Sequence, residues 1–237
     1  MNYFNGFGRA AIALLALVFC ALPGCVDGPF SRMAEWNPWY TKQWQKDEAK
    51  GPTFHKRFAE LRSLQSQASR LSPEDQAAYI NQLAVLIRSD SNPVIRAEVV
   101  RTLALFPNQA IIPPLRQALT DEEPSVRIAA CRAWGKVGGA EGLQSLAERV
   151  SKDENIDVKI CAAKELGQFK DQAAVVALGS ALEENDPALQ YQAMQSLKSC
   201  SGRDFGVSVA SWREFVAGRN PPPPESPSMA QRLRQLF

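Results

Sequence analysis

The 237-residue chain holds a single histidine, His55, and no Cys-x-x-Cys pair. One histidine leaves a serine or cysteine nucleophile with no partner close in sequence, and it withdraws the usual nitrogen donor from a metal site. His55 therefore reads as a helix-surface residue, and no metal or cofactor is expected. Neither sign of charge dominates: 27 Lys and Arg stand against 25 Asp and Glu. That balance argues against a nucleic-acid binder, which concentrates basic residues on one face. The acids are spread along helix faces with no isolated pair, so glycosidase chemistry has no support. The stretch "GKVGGAEG" (135–142) has glycines without the order of a phosphate-binding loop, and it reads as a turn between helices. Long apolar runs are scarce as well. One uncharged stretch, Ala10 to Pro23, is about 14 residues long, whereas a bilayer span needs about 20.

That stretch follows Arg9 and closes on Leu22-Pro23-Gly24-Cys25. A positive start, a short apolar segment and small residues at its end describe a secretory signal over 1–24. The last four residues resemble a bacterial lipobox, in which a leucine and a small residue precede a cysteine that becomes the lipidated first residue. Pro23 is less usual there than Ala or Ser. The resemblance makes Cys25 the lipidation site and a membrane of the cell envelope the location. Val26 in place of Asp fits an outer membrane by the same resemblance; the outer face of an inner membrane is the other location. Plain cleavage and an uncleaved anchor are the competing readings of the run.

Residues 25–52 are rich in aromatics. Trp36, Trp39, Tyr40 and Trp44 fall within nine positions, with Pro38 among them. They read either as a cap over the following domain or as a docking patch for a partner or the membrane interface, where Trp and Tyr are favoured.

From residue 53 to 218 the pattern is helical. Phe54, Phe58, Leu61, Leu64, Ala68 and Leu71 recur at three- and four-residue spacing. A second helix starts at Ser72-Pro73, with Asp75 placed for a short-armed capping box, and Ile80, Leu83, Ala84 and Ile87 form its stripe. After that the chain repeats. "DSNPVIRAEVVRTLALF", "DEEPSVRIAACRAWGKV", "DENIDVKICAAKELGQF" and "ENDPALQYQAMQSLKSC" begin at Asp90, Asp121, Asp153 and Glu184, spaced by 31, 32 and 31 residues. They align Ile95, Val126, Val158 and Leu189, and again Leu103, Trp134, Leu166 and Leu197. Second helices align at Leu115, Leu146 and Leu178, then at Leu119, Val150 and Leu182. A lone pair of short amphipathic helices buries too little to offset its ordering entropy, so such units stack. "SWREFVAG" (211–218) is placed to close the last face with Trp212, Phe215 and Val216.

These units resemble HEAT repeats, in particular the short HEAT-like units first associated with phycobilisome lyases. The residues that carry the resemblance are Pro93, Pro124 and Pro187, the pairs Ile95-Arg96, Val126-Arg127 and Val158-Lys159, and the acids Asp90, Asp121 and Asp153. It covers about 72–218. It implies an all-α fold, a right-handed α-solenoid of stacked helical hairpins, with the acid and base forming a ladder between neighbouring units. The pair thins to Glu184 and Gln190 in the last unit, as suits a unit with no further neighbour. In such repeats second helices line the concave side, where Gln117, Glu148, Arg149 and Ser180 are the aligned polar positions and the candidate partner-binding residues. The function implied is a non-enzymatic, membrane-tethered scaffold for a protein partner; the alternative is a lyase or lyase subunit of the bilin-attachment type.

Cys131, Cys161 and Cys200 fall at different offsets in first helices and read as small buried fillers, with a Cys131–Cys161 bond as the alternative. The segment 219–237 opens with four consecutive prolines, an extended spacer. Beyond them Met229, Leu233 and Leu236 keep helical spacing beside Arg232 and Arg234. This tail reads as a flexible spacer or as a short docking peptide.

Overall fold

The computed structural model describes Lys42 and residues 51–222. Among these residues there are ten α-helices and no strand. In chain order they are α1 (Phe54–Gln67), α2 (Pro73–Ser89), α3 (Pro93–Leu103), α4 (Ile112–Ala118), α5 (Pro124–Val137), α6 (Gly139–Lys152), α7 (Ile156–Leu166), α8 (Gln172–Glu183), α9 (Pro187–Ser201) and α10 (Val209–Val216). None is long and apolar enough to cross a membrane.

The helices form two rows. α1, α3, α5, α7 and α9 pack successively against one another, and α6, α8 and α10 do the same in the second row. Each of α2, α4, α6 and α8 also leans on the first-row helix that follows it. The array is thus a solenoid of helical hairpins. Four hairpins match the units of the sequence alignment, and ahead of them α1 packs on α3 while α2 packs on α3 and α4. The aligned apolar positions make its core. Ile95, Val126, Val158 and Leu189 are buried, as are Leu103, Trp134, Leu166 and Leu197, and Leu115, Leu146 and Leu178 behind them.

Helix starts follow local chemistry. The Ser72 hydroxyl accepts from the Asp75 N–H, and that hydroxyl in turn donates to the Asp75 carboxylate. The return arm of the capping box therefore ends on the side chain of Ser72. Asn92, Asn155, Asp171 and Asp186 cap α3, α7, α8 and α9 in the same manner. Pro73, Pro93, Pro124 and Pro187 occupy the first turn, where the missing N–H costs nothing.

The "GKVGGAEG" stretch is a turn only at its centre. Gly138 and Gly139 have φ of 69° and 72°, the left-handed region that favours glycine. Gly135 lies inside α5 and Gly142 inside α6. A Cβ on Gly135 would run into the Glu165 side chain, and one on Gly142 would stand 3.0 Å from the Trp134 carbonyl. These two glycines permit close helix approach.

The far end is closed by α10. Trp212 is fully buried, its indole N–H donates to the Gly206 carbonyl at 3.0 Å, and its ring meets Phe205 and Phe215 edge-on. Val216 fills the space that Gly179 of α8 leaves open. The closing helix thus begins two residues earlier than Ser211 and recruits Phe205 from the preceding loop.

Candidate partner-binding groove

The polar signature of the repeat forms a ladder along the joints. Arg96 Nε and Nη2 donate to the two carboxylate oxygens of Asp121, each at 2.8 Å, and Arg127 grips Asp153 likewise at 2.9 Å. Each arginine also reaches back to a carbonyl of its own unit: Arg96 to Asp90 at 2.9 Å, Arg127 to Asp121 at 2.8 Å. Each aspartate meanwhile orders its own turn by accepting from the N–H two residues on, at Asn92, Glu123 and Asn155. One carboxylate thus shapes its own helix start and receives the preceding unit. The hydrogen bond to Asp121 raises the Arg96 guanidinium above its ordinary value, and that to Asp153 does the same for Arg127. Burial pushes the Asp153 carboxyl up, but the Arg127 bond, the Asn155 N–H and the charges of Arg127 and Arg149 outweigh it and hold the group below the usual range.

Arg57 of α1 pairs with Asp90 and extends the ladder to the first helix. Sequence alignment misses Arg57 because it precedes its acid by 33 residues, whereas the aligned pairs are separated by 25 or 26. At the other end Lys159 Nζ meets Glu184 Oε1 at 2.6 Å, and Gln190 turns to the Leu182 and Glu184 carbonyls.

With the joints satisfied internally, the outer faces of the second row are left for contact. α6 presents Leu143, Ala147 and Ser151 at four-residue spacing. α8 answers with Ala173, Val176, Ala177 and Ser180. Between them runs an open groove of about 1020 Å³. Leu143, Ala147 and Ala177 are half-buried, Val176 is 58% exposed, and Glu148 and Ser180 stand exposed along it. Val176 adds an apolar side chain to the exposed edge of this groove. The α8 sequence "QAAVVALGSALE" hints at this, because it is apolar around more of its circumference than one buried stripe requires.

The structure brings Glu148 and Ser180 into this groove and sends the other two candidates elsewhere. Gln117 lines a separate polar cavity of about 730 Å³ beside Thr120, Asp121 and Arg96, at a ladder joint. Arg149 is turned inward. It donates to the Leu119 carbonyl at 3.3 Å, stands 3.6 Å from Asp153, and its side chain is 16% exposed. Its place is a clasp between units. Cys25, Trp36, Trp39, Tyr40 and Trp44 lie outside the described residues, as does most of the 219–237 tail.

The three cysteines and Glu165 are bound into packing. Cys131, Cys161 and Cys200 are free and buried, so the alternative Cys131–Cys161 bond is not formed. Burial pushes each thiol above its ordinary range, and a protonated, enclosed thiol is a poor nucleophile. Burial likewise raises Glu165, against the pull of Lys164 and Arg132. His55 is exposed on α1, edge-on to Phe54.

Residues 80–158, about a third of the chain, match the family model of HEAT repeats. No curated protein matches the chain. The matched span runs from the middle of α2 to the start of α7 and takes in the two Arg–Asp joints. It supports a HEAT-repeat protein, a class that commonly mediates protein–protein interaction as a scaffold.

Proposed function

We propose that the protein is a membrane-tethered scaffold of the cell envelope that holds a protein partner in the groove between α6 and α8. The observation that carries the binding half is the groove itself. It has an apolar floor, a rim bearing Glu148 and Ser180, and Val176 held out at 58% exposure. Such a surface suits a side-chain-rich partner helix or strand laid along it. Support for the tether comes from the sequence: the uncharged 10–23 run and the lipobox-like Leu22-Pro23-Gly24-Cys25. Acyl chains add about 0.8 kcal/mol per buried methylene, so two or more hold a protein on a bilayer.

Each half has its own test. Incorporation of a palmitate analogue, with membrane fractionation, is expected in the wild type and absent in Cys25→Ala; label retained in the variant removes the anchor. A photo-crosslinker placed at position 176 is expected to yield partner adducts from the membrane fraction, and one at Tyr191, exposed on first-row α9, is not. Equal yields from the two sites remove the groove.

A further inference from the structure

The helices α1, α3, α5 and α7 of the first row each carry two basic residues five positions apart: Arg57 and Arg62, Arg96 and Arg101, Arg127 and Arg132, Lys159 and Lys164. At 3.6 residues per turn, five positions turn a side chain by about 140°. The first of each pair closes a joint on the acid that follows it in the array. The second stands exposed on the outside of the row in all four helices. In α9 both places hold glutamine, Gln190 and Gln195.

Joint closure explains the first member of each pair and not the second. Helix ends do not explain it either. The helix dipole favours cations in the last turn, but Arg62 and Arg132 stand five residues ahead of the ends of α1 and α5. Among the described residues Arg62, Arg132 and Lys164 form no ion pair. Acids near the row are drawn in. Glu98, its side chain 7% exposed, is held by Arg101, and Glu165 lies in the space that Gly135 leaves open. Asp157 stands two turns away from Lys164, at the start of α7. The near-balance of charge over the whole chain conceals this row.

An apolar row runs beside it. Four residues before each outward base, and before Gln195, stand Phe58, Ala97, Ile128, Ile160 and Tyr191, and four positions share a helix face. Phe58, Ile128 and Ile160 are half-buried and Tyr191 is exposed, as are Val94 and Leu105 to either side of Arg101. Bases set one per helix, about 8 to 10 Å apart, with apolar and aromatic side chains between them, complement the headgroup zone of an anionic bilayer.

We propose that the outer face of the first row docks the array on an anionic bilayer, with Arg62, Arg101, Arg132 and Lys164 among the lipid phosphates. The proposal rests on the membrane-tethered reading and names the face that meets the lipid, which leaves the second-row groove for the partner. A tether keeps the face at high effective concentration over the bilayer, so weak contacts summed along the row are populated.

The test is sedimentation of the full chain carrying Cys25→Ala, so that acyl chains contribute nothing, with vesicles of phosphatidylcholine alone or with about one third phosphatidylglycerol. Binding is expected to require phosphatidylglycerol and to weaken from about 50 to about 300 mM salt. A base near an anionic surface is worth about a factor of five. Arg62→Gln, Arg132→Gln and Lys164→Gln together are therefore expected to weaken binding at least about tenfold. The comparison variant removes the same charge from the second row, at the exposed Arg88, Arg116 and Lys152, each to Gln, and is expected to stay within about twofold of the parent. Helical circular dichroism and thermal melting confirm that both variants fold. Equal losses in the two variants overturn the docking face, because net charge alone then governs binding. Equal binding to the two kinds of vesicle overturns it as well. So does capture of the parent by immobilised polyglutamate without binding to phosphatidylglycerol, which makes the row a site for an acidic polypeptide. Palmitate label on the wild type without row-dependent binding keeps the tether and dismisses the face; row-dependent binding without label keeps the face and dismisses the tether.

Discussion

The inner joints of the array and its last joint solve the same problem with different chemistry. At the joint between α5 and α7, Asp153 is nearly sealed, its side chain 2% exposed, and both its oxygens are held by Arg127. At the joint between α7 and α9, Glu184 is 43% exposed and held by one lysine nitrogen. A planar guanidinium locks two oxygens in one geometry, whereas an ammonium on a flexible stem fixes a distance and little else. The inner joints are specified by directed hydrogen bonds. The outer end is held instead by hydrophobic closure around Trp212. In a row of near-identical units, where each touches only its neighbours, the difference sets which end opens first.

The largest effect is expected at the centre of the closing cluster. Trp212→Ala removes a fully buried indole and costs about 3 to 5 kcal/mol. Because α10 touches the rest of the array chiefly through α8 and α9, the loss is local. Hydrogen exchange should accelerate in α10, α9 and the outer half of α8, with α1 to α5 unchanged. Uniform acceleration through all ten helices would contradict the end-opening picture and make the array a single cooperative unit.

Next comes the sealed joint. Asp153→Ala strands Arg127 in a mostly buried site and frees the turn at Asn155, for about 3 to 5 kcal/mol by chemical denaturation. The sign with pH follows from the lowered carboxyl. A group depressed in the folded state contributes fully above its unfolded value of about 4, and the contribution is lost as pH falls through the lower folded value. The wild type should therefore lose stability on acidification below about pH 4 more steeply than Asp153→Asn, which has no proton to gain. Parallel acid limbs in the two proteins would mean that Asp153 does not supply the dependence.

The same contrast marks what could be read from the sequence. The repeat period, the core stripe and the two Arg–Asp joints were legible, because each is a local pattern recurring at fixed spacing. Glu184 and Gln190 even announced the weakened end. Arg57 was not legible, because it precedes Asp90 by 33 residues, outside the 25- or 26-residue spacing of the aligned pairs. Arg149 read as a surface residue by position, but its guanidinium folds back to Leu119 of the preceding unit, a contact set by how units stack. The groove was half legible. Glu148 and Ser180 stood out as aligned polar positions, while Leu143, Ala147 and Ala177 fall outside the aligned apolar positions and form a floor only through the packing of α6 against α8.

The smallest effect is expected at the exposed joint. Glu184→Gln leaves the shape of the side chain and removes its charge, so it reports the ion pair with Lys159 alone. With 43% of the side chain in water, the Coulomb gain is screened and partly offset by the entropy of holding the lysine stem, leaving about 0 to 1 kcal/mol. A double-mutant cycle with Lys159→Met should return a coupling in that range, and the matching cycle through Arg127 and Asp153 should exceed it several-fold. Equal couplings would mean that burial and two-pronged geometry add nothing here, and that the last joint is as well made as the inner ones. If the couplings differ as expected, Lys159→Arg combined with Glu184→Asp is the sharper probe. It installs the inner chemistry at the outer joint, and any stability gained there measures how far the neighbouring backbone is already shaped to accept it.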